Sequence, residues 1–352
     1  MTPKTQKQWV VGTGQGFESL EFQTDAPVPS VGDQDVLVQI HAVSINFRDL
    51  VIAKGSYPFP LKENLVPLSD GAGVVTAIGP RVSRFKVGDR VAGLFYQHHR
   101  AGPIDARARN SALGGLFDGV LREHAVFSEE GLVGVPGNLT LQEAASLPCA
   151  ALTAWSALYG LEGRALKPGD IVLTEGTGGV STFAVQFARS AGAKVVATTS
   201  SSEKAKKLKE LGADFVINYR ETPAWGELAR SFTPGKEGVS LVVEVGGTAS
   251  LRQALTALKI DGLVSMVGTV GGYTSQENEP EPTFMETVLG SCTVRGISVG
   301  SRLQFEDMNR AIEANDIHPV LDARVFKFEQ AREAFQYVWD QKHFGKVIIE
   351  IV

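Results

Sequence analysis

Residues 171–204 read IVLTEGTGGVSTFAVQFARSAGAKVVATTSSSEK, and this stretch decides the fold. A short apolar run suited to a buried strand leads into Gly176-Thr177-Gly178-Gly179-Val180-Ser181, and a helical pattern follows at once. Strand, glycine turn and helix in that order are the context of a dinucleotide-binding fingerprint, with Ser181 at the third glycine position. Gly176 allows the tight turn. Gly178 and Gly179 let a pyrophosphate approach the backbone and the helix N-terminus, whose free N–H groups favour an anion. Ser181 is small enough for the helix to pack closely on the strand, though less ideal than glycine. In isolation the string is only a glycine turn; its surroundings give it weight.

Those surroundings are six strand-like runs, at 170–175, 194–199, 214–218, 240–245, 262–268 and 293–298, which alternate with helical ones after the helix-forming stretch 141–161. The alternation predicts a doubly wound α/β domain with a parallel sheet covered on both faces. The rhythm before residue 140 is different. DVLVQIHAVSI (35–45), GVVTAIG (73–79), DRVAGLF (89–95) and LREHAVFS (121–128) are short, β-branched and separated by turn signals such as VPSVGDQD and FKVGDR. They predict a compact, mainly antiparallel β domain. The tail offers a helix, FEQAREAFQYVWD (328–340), and a last strand in KHFGKVIIEIV (342–352); VGGYTSQENEPEPT (270–283) reads as an exposed loop. The expected division is residues 1–150 with 299–352, and 151–298.

Bulk properties narrow the class. A chain of 352 residues fills more than one ordinary core, and 43% hydrophobic with 21% charged residues is a soluble globular composition. The formal charge of −5 points to no nucleic-acid or anionic-membrane partner. Cys149 and Cys292 are the only cysteines, too few for a disulfide framework or a zinc knuckle, and they fit a reducing compartment. MTPKTQKQWVVG lacks the apolar run of a signal peptide, and no apolar stretch is long enough to span a bilayer. A cytoplasmic protein with a small-molecule substrate is expected.

The end of the second parallel strand bears on the cofactor. An NAD site places Asp or Glu there for the ribose 2′-hydroxyl. This chain has Thr199, Ser200, Ser201 and Ser202 followed by Lys204, a set of hydroxyls and a cation that suits a 2′-phosphate. NADPH is the expected cofactor. The plainer alternative makes the serines a helix cap and Lys204 a solvated first-turn residue.

SINFRDL, DGAGVVTAIGPRVSRFKVGDRV, LPCAALTAWSAL, the 171–204 fingerprint continuing to VINYR, and KHFGKVII together resemble the medium-chain dehydrogenase/reductase superfamily over nearly the whole chain. The quinone-oxidoreductase and fungal alcohol-dehydrogenase-like members, some serving natural-product pathways, are the most similar in pattern. The resemblance implies a GroES-like domain built from the N-terminal part and the tail, a Rossmann domain, and a nicotinamide in the cleft between them. It also implies cofactor contacts by Tyr219 and Lys346, which could otherwise be a strand-end aromatic and a solvated turn residue. A dimer through the sheet edge near TVRGISVGS is a further implication.

Zinc members of that family hold the metal with a cysteine, a Gly-His-Glu segment and a second Cys or His. Here Asn46 stands at the first position, Leu68-Ser69-Asp70 replaces Gly-His-Glu, and only Cys149 remains. A catalytic zinc needs three protein ligands, so a zinc-free enzyme is expected. The region of the structural-zinc lobe, 95–115, has no cysteine. Its His98, His99 and Asp105 read as a surface loop, because adjacent side chains on a strand face opposite ways.

Without a metal, the proton must come from a side chain. Asn46…Asp49…Gly55-Ser56-Tyr57-Pro58 is similar to the NPxD…GxYP pattern of zinc-free enoyl reductases, with Phe47 in place of the proline. A phenol is protonated at neutral pH and donates a hydrogen bond. Tyr57 is therefore either the acid or a turn aromatic packing the domain edge. Asn46 binds a substrate carbonyl or the nicotinamide ribose, or satisfies a loop backbone. Arg48 and Asp49 read as a structural ion pair, and Ser69 and Asp70 as support for a Gly-Ala-Gly turn. The expected activity is NADPH-dependent reduction of an activated C=C. The alternatives are a metal-free alcohol/ketone dehydrogenase and a non-redox NADP-binding accessory protein.

Overall fold

Two alternating runs, Thr5–Val11 (β1) and Leu20–Pro27 (β2), pair antiparallel as a ribbon of their own. The computed structural model describes residues 3–12, 14–268, 270 and 282–352. The β-branched run that follows forms Asp35–Ser44 (β3), and helix Phe47–Ala53 (α1) leads from it toward Asp70–Ile78 (β4). β3 and β4 pair antiparallel from Ser44↔Asp70 to Val36↔Ile78. This corrects the turn expected at Gly71-Ala72-Gly73, which is strand. Its glycines serve a close approach of backbones: a Cβ on Gly73 would lie 1.9 Å from the Gln39 carbonyl oxygen. Arg90–Gly93 (β5), the short helix Ala106–Arg109 (α2), His124–Ser128 (β6) and Leu132–Gly134 (β7) complete this part.

The stretch 141–161 is not one helix. It breaks into Leu141–Ala144 (α3), a wider π-type turn over Leu147–Ala151, and Leu152–Tyr159 (α4). Pro148 lacks the N–H that a regular turn would use, which accounts for the break.

Next comes a strict succession: Ile171–Glu175 (β8), Gly179–Ser190 (α5), Lys194–Thr199 (β9), Ser202–Glu210 (α6), Phe215–Asn218 (β10) and Trp225–Ser231 (α7). It continues with Val239–Glu244 (β11), Thr248–Ala257 (α8), Leu258–Met266 (β12), Phe284–Leu289 (α9) and Thr293–Gly296 (β13). The six strands form one parallel sheet in the order β10-β9-β8-β11-β12-β13. Strand order reverses between β8 and β11, which makes their C-terminal ends the topological switch point where such sheets bind ligands. Leu173, Val196 and Val242 are fully buried, as are Phe183 and Phe187 of α5. Each such side chain contributes on the order of 2–3 kcal/mol by leaving water. Of the loop expected at 270–283, residues 271–281 lie outside the described residues.

The tail contributes Arg302–Ala314 (α10), Phe326–Lys327 (β14), Ala331–Trp339 (α11) and Ile348–Glu350 (β15). β15 pairs antiparallel with β3, from Ile348↔Ser44 to Glu350↔Ala42, inside a sheet ordered β14-β15-β3-β4-β5-β7, with β6 also on β3. The chain thus divides into one unit of residues 1–152 with 300–352 and another of residues 153–299.

Candidate active site

In the parallel-sheet unit, Gly176 follows β8 with φ +75°, a left-handed conformation that glycine adopts without steric cost. Gly178 is the N-cap of the 12-residue helix α5. A Cβ on either Gly176 or Gly178 would meet no heavy atom within 4 Å, so the concavity before the helix N-terminus is open. Thr177, Gly179 and Val180 are half-buried around it. The arrangement fits a dinucleotide pyrophosphate. Ser181 does more than fit the third glycine position. It is buried, and its hydroxyl donates to the Glu175 carbonyl at 2.5 Å, tying helix to strand.

At the end of β9, Thr199 Oγ1 accepts the Ser201 N–H at 3.3 Å, and Ser201 Oγ accepts the Lys204 N–H at 3.3 Å. Ser201 is therefore the cap of α6. A hydroxyl that accepts an N–H retains its own proton, so capping and phosphate binding are compatible. Half-buried Ser200 lies between them, and the Tyr219 N–H donates to the Thr199 carbonyl at 3.0 Å. Tyr219 and its neighbour Arg220 are both exposed beside this strand end. Arg220 escaped the sequence reading, although a cation directly after VINY was the visible signal.

Glu175 and Glu244 end β8 and β11, the two strands of the switch point. The Gly246 N–H reaches both carboxyls, at 3.3 and 3.0 Å, and the Ser250 hydroxyl also serves both. Burial raises both acids, and the charge of Glu244 raises Glu175 further. Two buried carboxyls sharing donors in this way disfavour each other's ionisation. Sequence analysis missed the pair, whose signal was a buried strand ending twice on Glu.

The antiparallel unit holds the other residues. Asn46 has extended backbone before α1, and Asp49 Oδ2 accepts its N–H at 2.8 Å. Lys346 is buried, and its Nζ donates to Asn46 Oδ1 at 2.6 Å and to the Ile45 carbonyl at 2.8 Å, with Asp70 Oδ2 at 3.8 Å. Asp70 accepts from Ser69 Oγ at 2.7 Å and from the Cys149 N–H at 3.2 Å. Burial pushes the Asp70 carboxyl up, against the opposing pull of the Lys346 ammonium. Burial also pushes the half-buried Cys149 thiol up, with Asp70 adding to the effect. That environment leaves a thiol rather than a thiolate. Asp49, buried, is raised to about 6 by desolvation, which Arg48 partly offsets.

Arg48 was expected to pair with Asp49, and its Nη1 does lie 3.8 Å from Asp49 Oδ1. Its better contacts lie elsewhere. Nε donates to Tyr57 Oη at 3.1 Å, Nη1 donates to the Leu113 carbonyl at 2.9 Å, and the guanidinium covers the Tyr57 and Phe95 rings. Half-buried Tyr57 packs against the hydrophobic core and against Phe59, so it is a packing aromatic as well as a candidate donor.

A zinc ion does not fit these residues. Asn46 Oδ1 is taken by Lys346 and Ser69 by Asp70, which leaves Cys149 alone where three protein ligands are needed. Among the described residues no group of three or more His, Cys, Asp or Glu side chains could hold a metal. His98, His99 and Asp105 do not converge. His98 is exposed, while Asp105 caps α2 through the Ala108 N–H. His99 departs from the expected surface position: it is buried, with Nε2 3.0 Å from the Gly102 carbonyl oxygen. No helix among the described residues is long and apolar enough to cross a membrane.

Comparison with known proteins identifies the family of the fold. Residues 32–137 match the alcohol dehydrogenase GroES-like domain family, and residues 179–314 match the zinc-binding dehydrogenase family. A zinc-type alcohol dehydrogenase-like protein of Schizosaccharomyces pombe is 44% identical over 338 residues, 96% of each chain. A quinone oxidoreductase of Sus scrofa is 28% identical over 95% of this chain and 94% of its own. The crystal structure of a putative alcohol dehydrogenase from Sinorhizobium meliloti superposes with a TM-score of 0.90 at 37% identity, covering both chains completely. The chain belongs to the medium-chain dehydrogenase/reductase family. It is an NAD(P)-dependent oxidoreductase of that type.

Proposed function

We propose that this chain is a zinc-independent, NADPH-dependent reductase of an activated C=C, in an α,β-unsaturated carbonyl or a quinone. The single observation that carries the reading is the Tyr57 hydroxyl, which accepts the Arg48 N–H at 3.1 Å and so keeps its own proton for donation. When bound, the nicotinamide would supply hydride for the β-carbon, with the C=C electron pair displaced toward the carbonyl oxygen. Asn46 offers an N–H to that oxygen, and Tyr57 returns a proton at the α-carbon, so one hydride and one proton are added in all. Solvent reprotonates the phenol.

The proposed cofactor residues are Gly176, Thr177, Gly178, Gly179, Val180 and Ser181 for the pyrophosphate. Thr199, Ser200, Ser201 and Lys204 take the 2′-phosphate, with Tyr219 and Arg220 beside them. The absence of a carboxylate at the end of β9 supports NADPH over NADH. Dissociation constants for the two cofactors test this preference, and tighter NADH binding refutes it.

A metal-free alcohol/ketone dehydrogenase is the second reading, favoured by the alcohol-dehydrogenase names of the relatives. It is weaker because ketone reduction depends more heavily on a Lewis acid or a strong proton donor. NADPH oxidation followed by absorbance with enones, quinones and ketones discriminates the two. Turnover of ketones alone moves the assignment to the second reading. We further infer a cytoplasmic homodimer through β13, the sheet edge, beside exposed Phe284, Met285, Val288 and Leu289. Light scattering in solution tests that assembly.

A further inference from the structure

β8 and β11 run side by side in register, with Val243 opposite Thr174. One residue further on, the strands end on Glu244 and Glu175, so the two buried acids are neighbours at the switch point. Glu244 Oε1 accepts the Gly246 and Gly247 N–H groups at 3.0 and 2.9 Å and the Ser250 hydroxyl, and Oε2 lies 3.1 Å from the Gly247 nitrogen. Glu175 Oε2 shares the same hydroxyl at 3.2 Å and accepts the Val245 and Gly246 N–H groups at a longer 3.3 Å. Among the described residues no N–H or hydroxyl reaches Glu175 Oε1. The two carboxyls are also hydrogen-bonded to each other. A carboxylate only accepts, so a bond between two carboxyls needs a proton on one of them. Glu244, with the shorter amide contacts and the N-terminus of α8 beside it, is the better anion; Glu175 is the better acid.

The surroundings offer no cation to neutralise a second charge. Across the sheet, Glu175 stands opposite Thr198 of β9 and Glu244 opposite Met266 of β12, and α5 and α8 contribute Ser181 and Ser250. None of these titrates near neutral pH. Burial, the partner acid, Ser250 and the Val245, Gly246 and Gly247 amides act most on the two carboxyls. The pair also stands where two parts of the nucleotide crevice begin. Gly176 of the fingerprint follows Glu175 directly, and the Glu175 carbonyl holds the Ser181 hydroxyl of α5. Glu244 leads into the Gly246-Gly247 turn that opens α8, where a Cβ on Gly246 would lie 2.1 Å from Ser250 Oγ. The carboxyl ends of β8 and β11 are thus joined through side chains as well as through the sheet.

We propose that Glu175 and Glu244 share one proton, and that this acid–carboxylate bond is a positioning element of the dinucleotide site, tying the glycine turn before α5 to the one before α8. Losing the proton places a second negative charge immediately behind the α5 N-terminus, where the anionic pyrophosphate binds, and sets two like charges between the strand ends. Dinucleotide affinity therefore falls when the proton leaves, and by reciprocity a bound dinucleotide holds the proton more tightly. The inference rests on the placement of the pyrophosphate at α5 made above.

Two measurements on the full chain test it. Carbon-13 NMR of the free protein, labelled at its glutamate carboxyls, should show a neutral acid at pH 7 that is missing from Glu175→Gln. Two ionised carboxyls at pH 7 overturn the shared proton, whether or not a dinucleotide binds. The second measurement is the Kd for NADPH and for NADH, titrated above pH 7, where the 2′-phosphate is already ionised. For whichever binds more tightly, the wild-type Kd should rise at least about 10-fold across the pH at which the neutral-acid resonance disappears. Glu175→Gln carries a fixed N–H in place of the proton, so its Kd should lose that dependence on pH. Glu175→Met, which can neither donate nor accept at the carboxyl position, should weaken binding about 10-fold or more already at pH 7.5. A wild-type Kd indifferent to loss of the resonance overturns the link to binding, as does a Glu175→Gln Kd that rises with pH as the wild type does. Should Glu175→Met fail to fold, the pH series of the wild type and Glu175→Gln decides alone. A wild type that binds neither dinucleotide refutes the placement at α5 and the link with it, while the NMR still decides the pair.

Discussion

Arg48 and Tyr57 are bound to each other twice: the guanidinium Nε–H points at the phenol oxygen at 3.1 Å, and the guanidinium carbon lies 5.2 Å from the centre of the same ring. The two contacts fix the ring and leave its hydroxyl proton directed elsewhere. Tyr57→Phe removes the proton and keeps the packing. Its kcat should fall about 100-fold with the NADPH Kd unchanged, the scale of a lost general acid. Steady-state kinetics and cofactor titration check this, and unaltered turnover removes Tyr57 from the mechanism.

Two glycines should respond oppositely to a side chain. Gly178 has φ −77°, and nothing within 4 Å would meet its Cβ, so Gly178→Val should fold with an unchanged Tm. It should nonetheless lose dinucleotide affinity at least about 10-fold, because the added methyls occupy the place of the pyrophosphate. Gly73→Ala, with the Gln39 carbonyl in the way, should instead lower the Tm or abolish folding. Thermal melts with and without NADPH separate the two cases.

Asp49 makes stability depend on pH. Its folded value of about 6 lies above the ordinary 3.8, so the neutral acid is the form that burial favours. The contribution is complete below about pH 4 and is lost as pH rises through about 6. Asp49→Asn should therefore stabilise the protein at pH 8, on the order of 2–3 kcal/mol, and have little effect at pH 4. Urea unfolding at the two pH values measures the difference. Equal effects at both would show that the carboxyl is not neutralised on folding.

Metal removal should be silent. Dialysis against a chelator is expected to leave turnover and Tm unchanged, because Asn46 Oδ1 and the Ser69 hydroxyl are committed to Lys346 and Asp70, which leaves Cys149 alone short of the three ligands a catalytic zinc needs. About one equivalent of zinc by elemental analysis, together with chelator-sensitive activity, would refute this.

The parallel sheet was legible because its signals are local: apolar strand, glycine turn and helix recur within about 30 residues, and each element follows from its own period. The antiparallel domain was legible in class but less so in detail. DGAG was misread as a turn because glycine marks both turns and tight strand contacts, and only the neighbouring Gln39 carbonyl tells them apart. Pro148 was visible inside the 141–161 stretch, yet the helix formers around it outweighed the break. In the site, Ser181 and Ser201 could be given roles from adjacent residues. The Lys346–Asn46 bond joins positions 300 apart, and Arg48 to Leu113 spans 65, so neither had any sequence signal. Glu175 and Glu244 became a pair only through strand order, which composition and period do not encode.

The contact between Lys346 and Asn46 also has a history in time, since the two residues are made 300 positions apart. At about 5–20 residues per second, a ribosome needs roughly 15–60 s to travel between them. Through that interval the Ala42–Ser44 end of β3 has no strand on the side that Ile348–Glu350 will cover. A nascent chain therefore carries an open, apolar sheet edge, the kind of surface that invites wrong pairing and engages chaperones. Residues 153–299 leave the ribosome earlier, so that unit is complete before Lys346, the hydrogen-bond partner of Asn46, exists. In this protein the last segment to be translated both seals the sheet and brings the buried lysine to Asn46.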